Sequence, residues 1–171
     1  MKLYVLRHGE AADRDDPCYA NDADRPLVRK GVRRTRALAR VLRRLDITFD
    51  VILSSPLVRA RETAEIVGHE LRLESRLELT EHLAPAGDVE KLVHRMNQLR
   101  PTPENILLVG HEPDASRLVS LLCTGGLDLA LTLKKGGLCR MEIEALSAGR
   151  CAGLEWLLTP DLIGPKRVKK R

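Results

Sequence analysis

The chain has 171 residues, 43% of them apolar and only 2% aromatic, which predicts one domain with a core of aliphatic side chains. The last six residues carry five positive charges and no negative ones, so the net charge of +5 leaves the preceding 165 residues neutral overall. This neutrality and the shortage of aromatic stacking residues argue against a nucleic-acid-binding domain.

The distribution of apolar and cysteine residues argues against membrane-bound and secreted proteins. No apolar run reaches membrane-spanning length, and the N-terminus lacks the apolar core of a signal peptide. The four cysteines form neither a C-x-x-C pair nor a zinc-like spacing. We therefore expect a cytoplasmic protein with reduced cysteines. Residues 1–160 are assigned to a single domain, and residues 161–171 to a basic C-terminal tail expected to be flexible.

The first half of the chain alternates strands and helices. Residues 3–6 have the length and β-propensity of a buried strand, and Gly9 then allows a turn into an acidic loop over residues 10–25. Apolar residues at three- and four-residue spacing predict a helix from Val28 to about residue 45. A second strand over residues 50–53 runs toward Ser55 and Pro56, which look like the N-cap and first residue of a helix.

The second half continues the alternation. Asp88 is the predicted cap of a helix over residues 89–99, and residues 106–109 form another buried strand that ends in Gly110 and His111. A helix over residues 113–123 follows, and residues 138–143 and 153–158 are the closing strands. This order of elements predicts a layered α/β domain with a mostly parallel sheet.

Four basic side chains are placed at strand-to-helix junctions. Arg7 and His8 follow the first strand, and His111 follows the third. Arg59 lies in the first turn of the helix predicted after the second strand. The carboxyl ends of parallel strands meet at one edge of a sheet, where open α/β sheets bind ligands. Guanidinium groups offer paired donors to a phosphate, and a helix N-terminus adds partial positive charge. The sequence therefore predicts a phosphate pocket made without a metal.

These residues resemble the ordered signature of the histidine phosphatase (phosphoglycerate-mutase-like) superfamily. The matching segments are Leu6-Arg7-His8-Gly9, Ser55-Pro56-Leu57-Val58-Arg59 with Thr63 beyond it, and Gly110-His111. The segments 25–27 and 83–88 are similar, more narrowly, to the SixA-type phosphohistidine phosphatase branch. The resemblance covers roughly residues 1–160 and implies a three-layer α/β/α fold.

The resemblance implies that His8 is the nucleophile that becomes phosphorylated. Arg7 and Arg59 would bind the phosphoryl oxygens, and His111 would donate to the same group. Such chemistry requires no cofactor, and we expect no metal site. Four further residues are placed in the substrate-binding group: Gly9, Arg25, Ser55 and Glu81.

Larger members of the family place a glutamate general acid after the second helix. The candidates here are Glu78, Glu81 and His82, and the sequence does not choose among them. Because phosphohistidine has a good leaving group, it needs less protonation than an alkyl phosphate ester.

The favoured function is a metal-independent phosphatase acting through a phosphohistidine intermediate, with protein-borne phosphohistidine as substrate. The alternatives are a phosphatase of a small phosphorylated metabolite and a non-catalytic module that binds phosphate or phosphopeptides. The presence of both His8 and His111 argues against the binding module. The sequence does not indicate an oligomeric state.

Overall fold

The computed structural model describes residues 1–163, in which strands and helices alternate along most of the chain. These residues form six strands: β1 (Lys2–Arg7), β2 (Val51–Ser54), β3 (Leu77–Leu79), β4 (Asn105–Gly110), β5 (Leu138–Ile143) and β6 (Ala152–Leu158). They also form five helices: α1 (Arg29–Arg44), α2 (Val58–Leu71), α3 (Val89–Gln98), α4 (Asp114–Thr124) and α5 (Pro160–Ile163). Of the predicted tail, residues 161–163 belong to α5, and the remainder lies outside the described residues.

The six strands join one sheet in the order β3-β2-β4-β1-β5-β6. The first four strands in this order are parallel, whereas β5 runs antiparallel to both β1 and β6. The predicted mostly parallel sheet is thus confirmed. Because β1, β2 and β4 are parallel neighbours, the residues that follow them emerge at the same edge of the sheet.

Alternate residues of the central strands face two separate cores. Leu3 and Val5 of β1 pack on the side covered by α3 and α4, while Tyr4 and Leu6 pack on the side covered by α1 and α2. Both faces of β1 are buried, which explains its continuous apolar run. The result is the α/β/α arrangement that the family resemblance implied.

The helix after β2 begins later than the sequence predicts. Its first helical residue is Val58, and Leu57 is the N-cap residue, without a side-chain cap. The Ser55 hydroxyl accepts a hydrogen bond from the Leu57 amide at 3.3 Å, so Ser55 stabilises the turn before the helix and is not its N-cap. By contrast, Asp88 caps α3 as predicted, through a 3.0 Å bond from the Lys91 amide.

Two remaining expectations concern membrane-spanning segments and the cysteines. No helix within residues 1–163 is long and apolar enough to cross a membrane. All four cysteines lie in this described range and are free: Cys139 is buried, Cys123 and Cys151 are half-buried, and Cys18 is exposed. Cys18 therefore does not belong to the core, because it lies on the polar loop between β1 and α1.

Candidate active site

Two histidines follow two neighbouring parallel strands. Arg7 of β1 pairs with Gly110 of β4, so the next residues, His8 and His111, leave the sheet side by side. Their ring centroids are 5.0 Å apart, and the two residues are only 7% and 3% exposed. Both line a cavity of about 570 Å³ at the carboxyl edge of the sheet.

The hydrogen bonding of His8 leaves one ring nitrogen available for attack. Its Nδ1 lies 2.7 Å from the carbonyl oxygen of Gly9, which can only accept, so Nδ1 carries the proton and Nε2 has a lone pair. Burial lowers the pKa of His8 to about 3, with further lowering by His111, Arg59 and Arg7 and partial opposition from the Gly9 carbonyl. The His8 ring is therefore neutral near pH 7, with the lone pair on Nε2 available to react.

His111 is fixed through Ser55, which follows β2. The Ser55 hydroxyl lies 2.8 Å from His111 Nε2 and already accepts from the Leu57 amide. The hydroxyl has one proton and a second lone pair, so it can donate to Nε2 when the His111 proton is on Nδ1, or accept from Nε2 when the proton is there. Nδ1 is buried and has no hydrogen-bond partner within residues 1–163. Because burial, and secondarily Arg59, lowers the pKa of His111 to about 4, this residue can offer a neutral N–H donor.

Arg7 is anchored beside the two histidines and retains unused donors. Its Nη1 donates to the Leu133 carbonyl at 2.8 Å, while its buried Nε has no partner among the described residues. Burial lowers the pKa of Arg7, and the neighbouring Glu112 carboxylate partly offsets this effect. The side chain is therefore held at the cavity wall as a cation with donor capacity for an anionic ligand.

Arg59 is held by a residue that sequence reasoning missed. Its Nη1 donates to the Asp22 carbonyl at 2.6 Å, and its Nη2 contacts Asp22 Oδ2 at 2.9 Å. The same carboxylate accepts two bonds from Arg25, of 3.0 and 2.6 Å. Burial raises the pKa of Asp22, but the bonds and charges of the two arginines outweigh this and lower it overall. Asp22 thus orients both guanidinium groups as a fixed anion.

The other residues placed in the substrate-binding group have different positions. Arg25 lines the cavity, but Gly9, Ser55 and Glu81 are not among the lining residues. Gly9 lies so close to α1 that an added Cβ would come within 2.9 Å of Thr35 Oγ1. The absence of a side chain at Gly9 therefore allows this close packing against α1. Glu81 is exposed on a short 3-10 helix, Glu81–Leu83.

The candidate general acids are also away from the cavity. Glu78 lies on β3 and pairs with Arg95 at 2.5 Å. His82 does not line the main cavity, but it lines a smaller cavity between α3 and α4 that shares His111 with the main one. Sequence reasoning had not assigned a role to several residues that do line the main cavity: Asp13, Arg14, Asp22, Pro85, Glu112 and Lys135. Most of these are loop residues without a periodic signal, although the position of Glu112 next to His111 could have indicated it.

Two neutral histidines and two oriented arginines around one cavity define a site for phosphoryl transfer. A neutral imidazole can act as a nucleophile or as a hydrogen-bond donor, and guanidinium groups can stabilise the negative charge of phosphoryl oxygens. Residues 1–163 contain no group of three His, Cys, Asp or Glu side chains arranged to hold a metal ion.

Comparisons with known proteins agree with this class of site. The histidine phosphatase superfamily (branch 1) profile matches residues 3–103. The phosphohistidine phosphatase SixA of Escherichia coli K12 is 33% identical over 126 residues, 73% of this chain and 76% of that protein. The adenosylcobalamin/alpha-ribazole phosphatase of Salmonella typhimurium LT2 is 36% identical over 101 residues, 56% of this chain and 46% of that protein.

The structural comparison extends over nearly the whole chain. The protein histidine phosphatase SixA, solved in complex with tungstate, superposes with a TM-score of 0.83 at 27% sequence identity. The match covers 96% of this chain and 100% of that one. The chain belongs to the histidine phosphatase superfamily, in its SixA-type branch, and is a phosphatase.

Proposed function

We propose that the protein is a metal-independent phosphatase that removes phosphate from phosphohistidine on a protein, through a phosphorylated His8. The observation that carries this proposal is the state of His8: a neutral ring whose Nδ1–H is held by the Gly9 carbonyl, with Nε2 free beside Arg7 and Arg59. In-line attack needs such a lone pair, together with cations around the equatorial oxygens.

The reaction proceeds in two displacements. His8 Nε2 forms a bond to phosphorus as the bond between phosphorus and the substrate nitrogen breaks, and the leaving imidazole takes up a proton. Water then attacks the phosphorylated His8, its proton is released, and the His8–phosphorus bond breaks to give inorganic phosphate. Arg7 and Arg59 stabilise the equatorial charge in both steps, and the Nδ1–H of His111 donates to the same group.

The surroundings of the cavity support a phosphoramidate substrate. The candidate acids Glu78 and Glu81 do not line it; of the aspartates that do, Asp13 is exposed on the loop after β1 and Asp22 is bound by Arg25 and Arg59. Glu112 also lines it, but its carboxylate is bound by the Ser116 hydroxyl and the Leu133 amide. An alkyl phosphate ester has a poor leaving group that depends on a well-placed general acid, whereas the imidazole of phosphohistidine depends on one less.

The openness of the cavity supports a protein-borne phosphate. Between α2 and α3 the chain forms only the short β3 and two single-turn 3-10 helices, and from this segment only Pro85 lines the cavity. A short connection of this kind leaves the mouth accessible to a macromolecule. The similarity to an adenosylcobalamin/alpha-ribazole phosphatase keeps a small phosphorylated metabolite as the second candidate.

Two measurements test the proposal. Rapid quench with ³²P-labelled phosphohistidine protein should give an acid-labile, base-stable phosphoenzyme that disappears in His8→Ala. Values of kcat/KM should then be compared for that protein, sugar phosphates and phosphoglycerates. Wild-type turnover in His8→Ala would refute the mechanism, and a higher kcat/KM for one of the small esters would assign the protein to the second candidate function.

A further inference from the structure

A second cleft opens directly beside the catalytic cavity. It has a volume of about 390 Å³ and shares Arg7, Glu112 and Pro113 with the catalytic cavity as a common wall. Its opposite wall is formed by three leucines, Leu127, Leu129 and Leu131. We call it the leucine cleft. Its volume lies within the range of about 300–1,000 Å³ that is usual for binding pockets.

The leucine cleft is held in place partly by Arg7 and Glu112, two residues of the wall that it shares with the catalytic cavity. Arg7 donates to the Leu133 carbonyl at 2.8 Å, and the Leu133 amide donates to Glu112 at 2.9 Å. On the other side, the Leu129 amide donates to the Ser120 hydroxyl of α4 at 3.0 Å. Because these bonds fix the segment before any ligand arrives, a partner that docks there loses little free energy to loop ordering.

Leu127 is an exposed apolar side chain at this wall. It is 61% exposed and is not part of either hydrophobic core, so its packing does not stabilise the fold. A single exposed leucine needs no explanation, but Leu127 lies beside Leu129 and Leu131, which are partly buried against the core. Together the three give the cleft beside the catalytic cavity an apolar wall suited to binding.

The burial of His8 determines which substrates must contact the leucine cleft. His8 is 7% exposed, at the base of the catalytic cavity. A phosphohistidine side chain is short, so it reaches His8 only when the protein that carries it rests on the rim. One side of that rim is the leucine cleft. A small metabolite would enter the cavity without touching it.

We propose that the leucine cleft docks the phosphohistidine-carrying protein through apolar side chains that flank its phosphohistidine. This inference rests on the proposed function and names the surface chemistry of the substrate. The wall that the two cavities share selects the occupant, because a partner bound in the leucine cleft places its neighbouring residues over the catalytic cavity. Apolar flanks bury the leucines, whereas polar flanks would lose solvation there.

The test uses three substrates that differ only around the phosphohistidine. Two are synthetic peptides of equal length and net charge, each with one phosphohistidine, flanked by leucines in one and by serines in the other. The third is phosphorylated N-acetylhistidine amide, which has no flanking residues. We expect the wild-type kcat/KM to be roughly 5- to 10-fold higher for the leucine peptide than for the serine peptide.

Leu127→Gln should reduce this preference roughly 3-fold or more by raising KM for the leucine peptide, and Leu127→Met should restore it. The matched control is Leu45→Gln. Leu45 is 62% exposed, but it follows α1 and precedes β2, at the opposite edge of the sheet. We expect Leu45→Gln to keep the wild-type preference.

Equal hydrolysis of the two peptides by the wild type would overturn the docking proposal and leave the proposed function intact. An unchanged preference in Leu127→Gln, or an equal loss in Leu45→Gln, would also overturn the docking proposal. If only the acetylhistidine compound is hydrolysed, the peptide-docking role is wrong. If all three compounds resist hydrolysis, the docking proposal fails, because leucine flanks then do not suffice; the proposed function fails as well only if the labelled phosphohistidine protein also resists hydrolysis.

Discussion

Replacing Arg59 with lysine separates the positive charge at this position from the geometry of the guanidinium group. Arg59 contacts Asp22 through two different nitrogens, with Nη1 at 2.6 Å from the carbonyl and Nη2 at 2.9 Å from the carboxylate. A lysine ammonium keeps the charge but cannot reproduce two parallel donors in one plane. The same loss would apply at phosphoryl oxygens, to which a guanidinium can donate two parallel hydrogen bonds whereas an ammonium acts as a point charge.

The expected magnitudes follow from these contacts. Loss of one preorganised donor at a developing charge reduces rates by about 10²- to 10³-fold, so we expect Arg59→Lys to slow phosphorylation of His8 by that amount. Arg59 is 3% exposed, and a hydrogen bond to a charged group contributes about 1.5–3 kcal/mol. We therefore expect the free energy of unfolding to fall by about 1.5–3 kcal/mol, more than a surface arginine would cause.

Arg61 on the same helix is the control. It is 44% exposed and pairs with Glu65 one turn further along at 3.5 Å, a contact worth about 0.3–0.5 kcal/mol. Rapid-quench measurement of phosphoenzyme formation and urea unfolding should be carried out on both lysine variants. Equal rates in the two variants, or a rate in Arg59→Lys within about threefold of wild type, would refute the placement of Arg59 at the phosphoryl group.

Three further predictions concern the histidines and metal ions. Ser55→Ala should lower kcat by roughly 10-fold and change the tautomer of His111, measured by long-range ¹⁵N NMR, whereas Ser55→Thr should preserve both. An unchanged tautomer in the alanine variant would contradict the role of Ser55 in positioning His111. The pKa of His8 is about 3 in the folded chain and about 6.5 in the unfolded chain. As the pH falls to 5, only the unfolded chain takes up this proton, so His8 should lower the free energy of unfolding by about 2 kcal/mol at pH 5. Urea titrations at pH 7.5 and 5.0 should show that loss reduced in His8→Asn; an equal loss in both proteins would mean that His8 titrates normally. Turnover should survive excess EDTA, because Arg7 and Arg59 supply the charge, and loss of turnover that one divalent ion restores would disprove this.

The strands that are buried on both sides could be predicted closely from the sequence. The strands β1, β2 and β4 are short apolar runs between turn signals, so the sequence places them to within one or two residues. The edge strand β3 was missed because it has only three residues, of which Glu78 and Leu79 are exposed. The start of α2 was misplaced because the Ser55 hydroxyl bonds His111 as well as the Leu57 amide, a contact across 56 residues that local capping rules do not contain.

Some residues of the catalytic cavity could be predicted from the sequence, and others could not. Arg7, His8 and His111 could be brought together from sequence because parallel strands deliver the residues that follow them to one edge. Asp22 could not be predicted, since it lies 37 residues from Arg59 on a loop whose five aspartates look alike in the sequence. Its role depends on which carboxylate the folded loop places between two arginines, and no periodic pattern encodes that choice.

The positive charges of Arg7 and Arg59 affect both the binding of an anion and the protonation of His8. Burial is the largest cause of the low pKa of His8, and the charges of Arg59 and Arg7 lower it further. The two arginines that would bind the phosphoryl oxygens thus also help to keep His8 unprotonated, and a protonated Nε2 could not attack phosphorus. Asp22 offsets part of the charge on Arg59 and orients it without contacting His8. A cavity lined by seven basic side chains can therefore attract an anion and keep a neutral imidazole at the same pH, because the arginines remain charged where the two histidines do not.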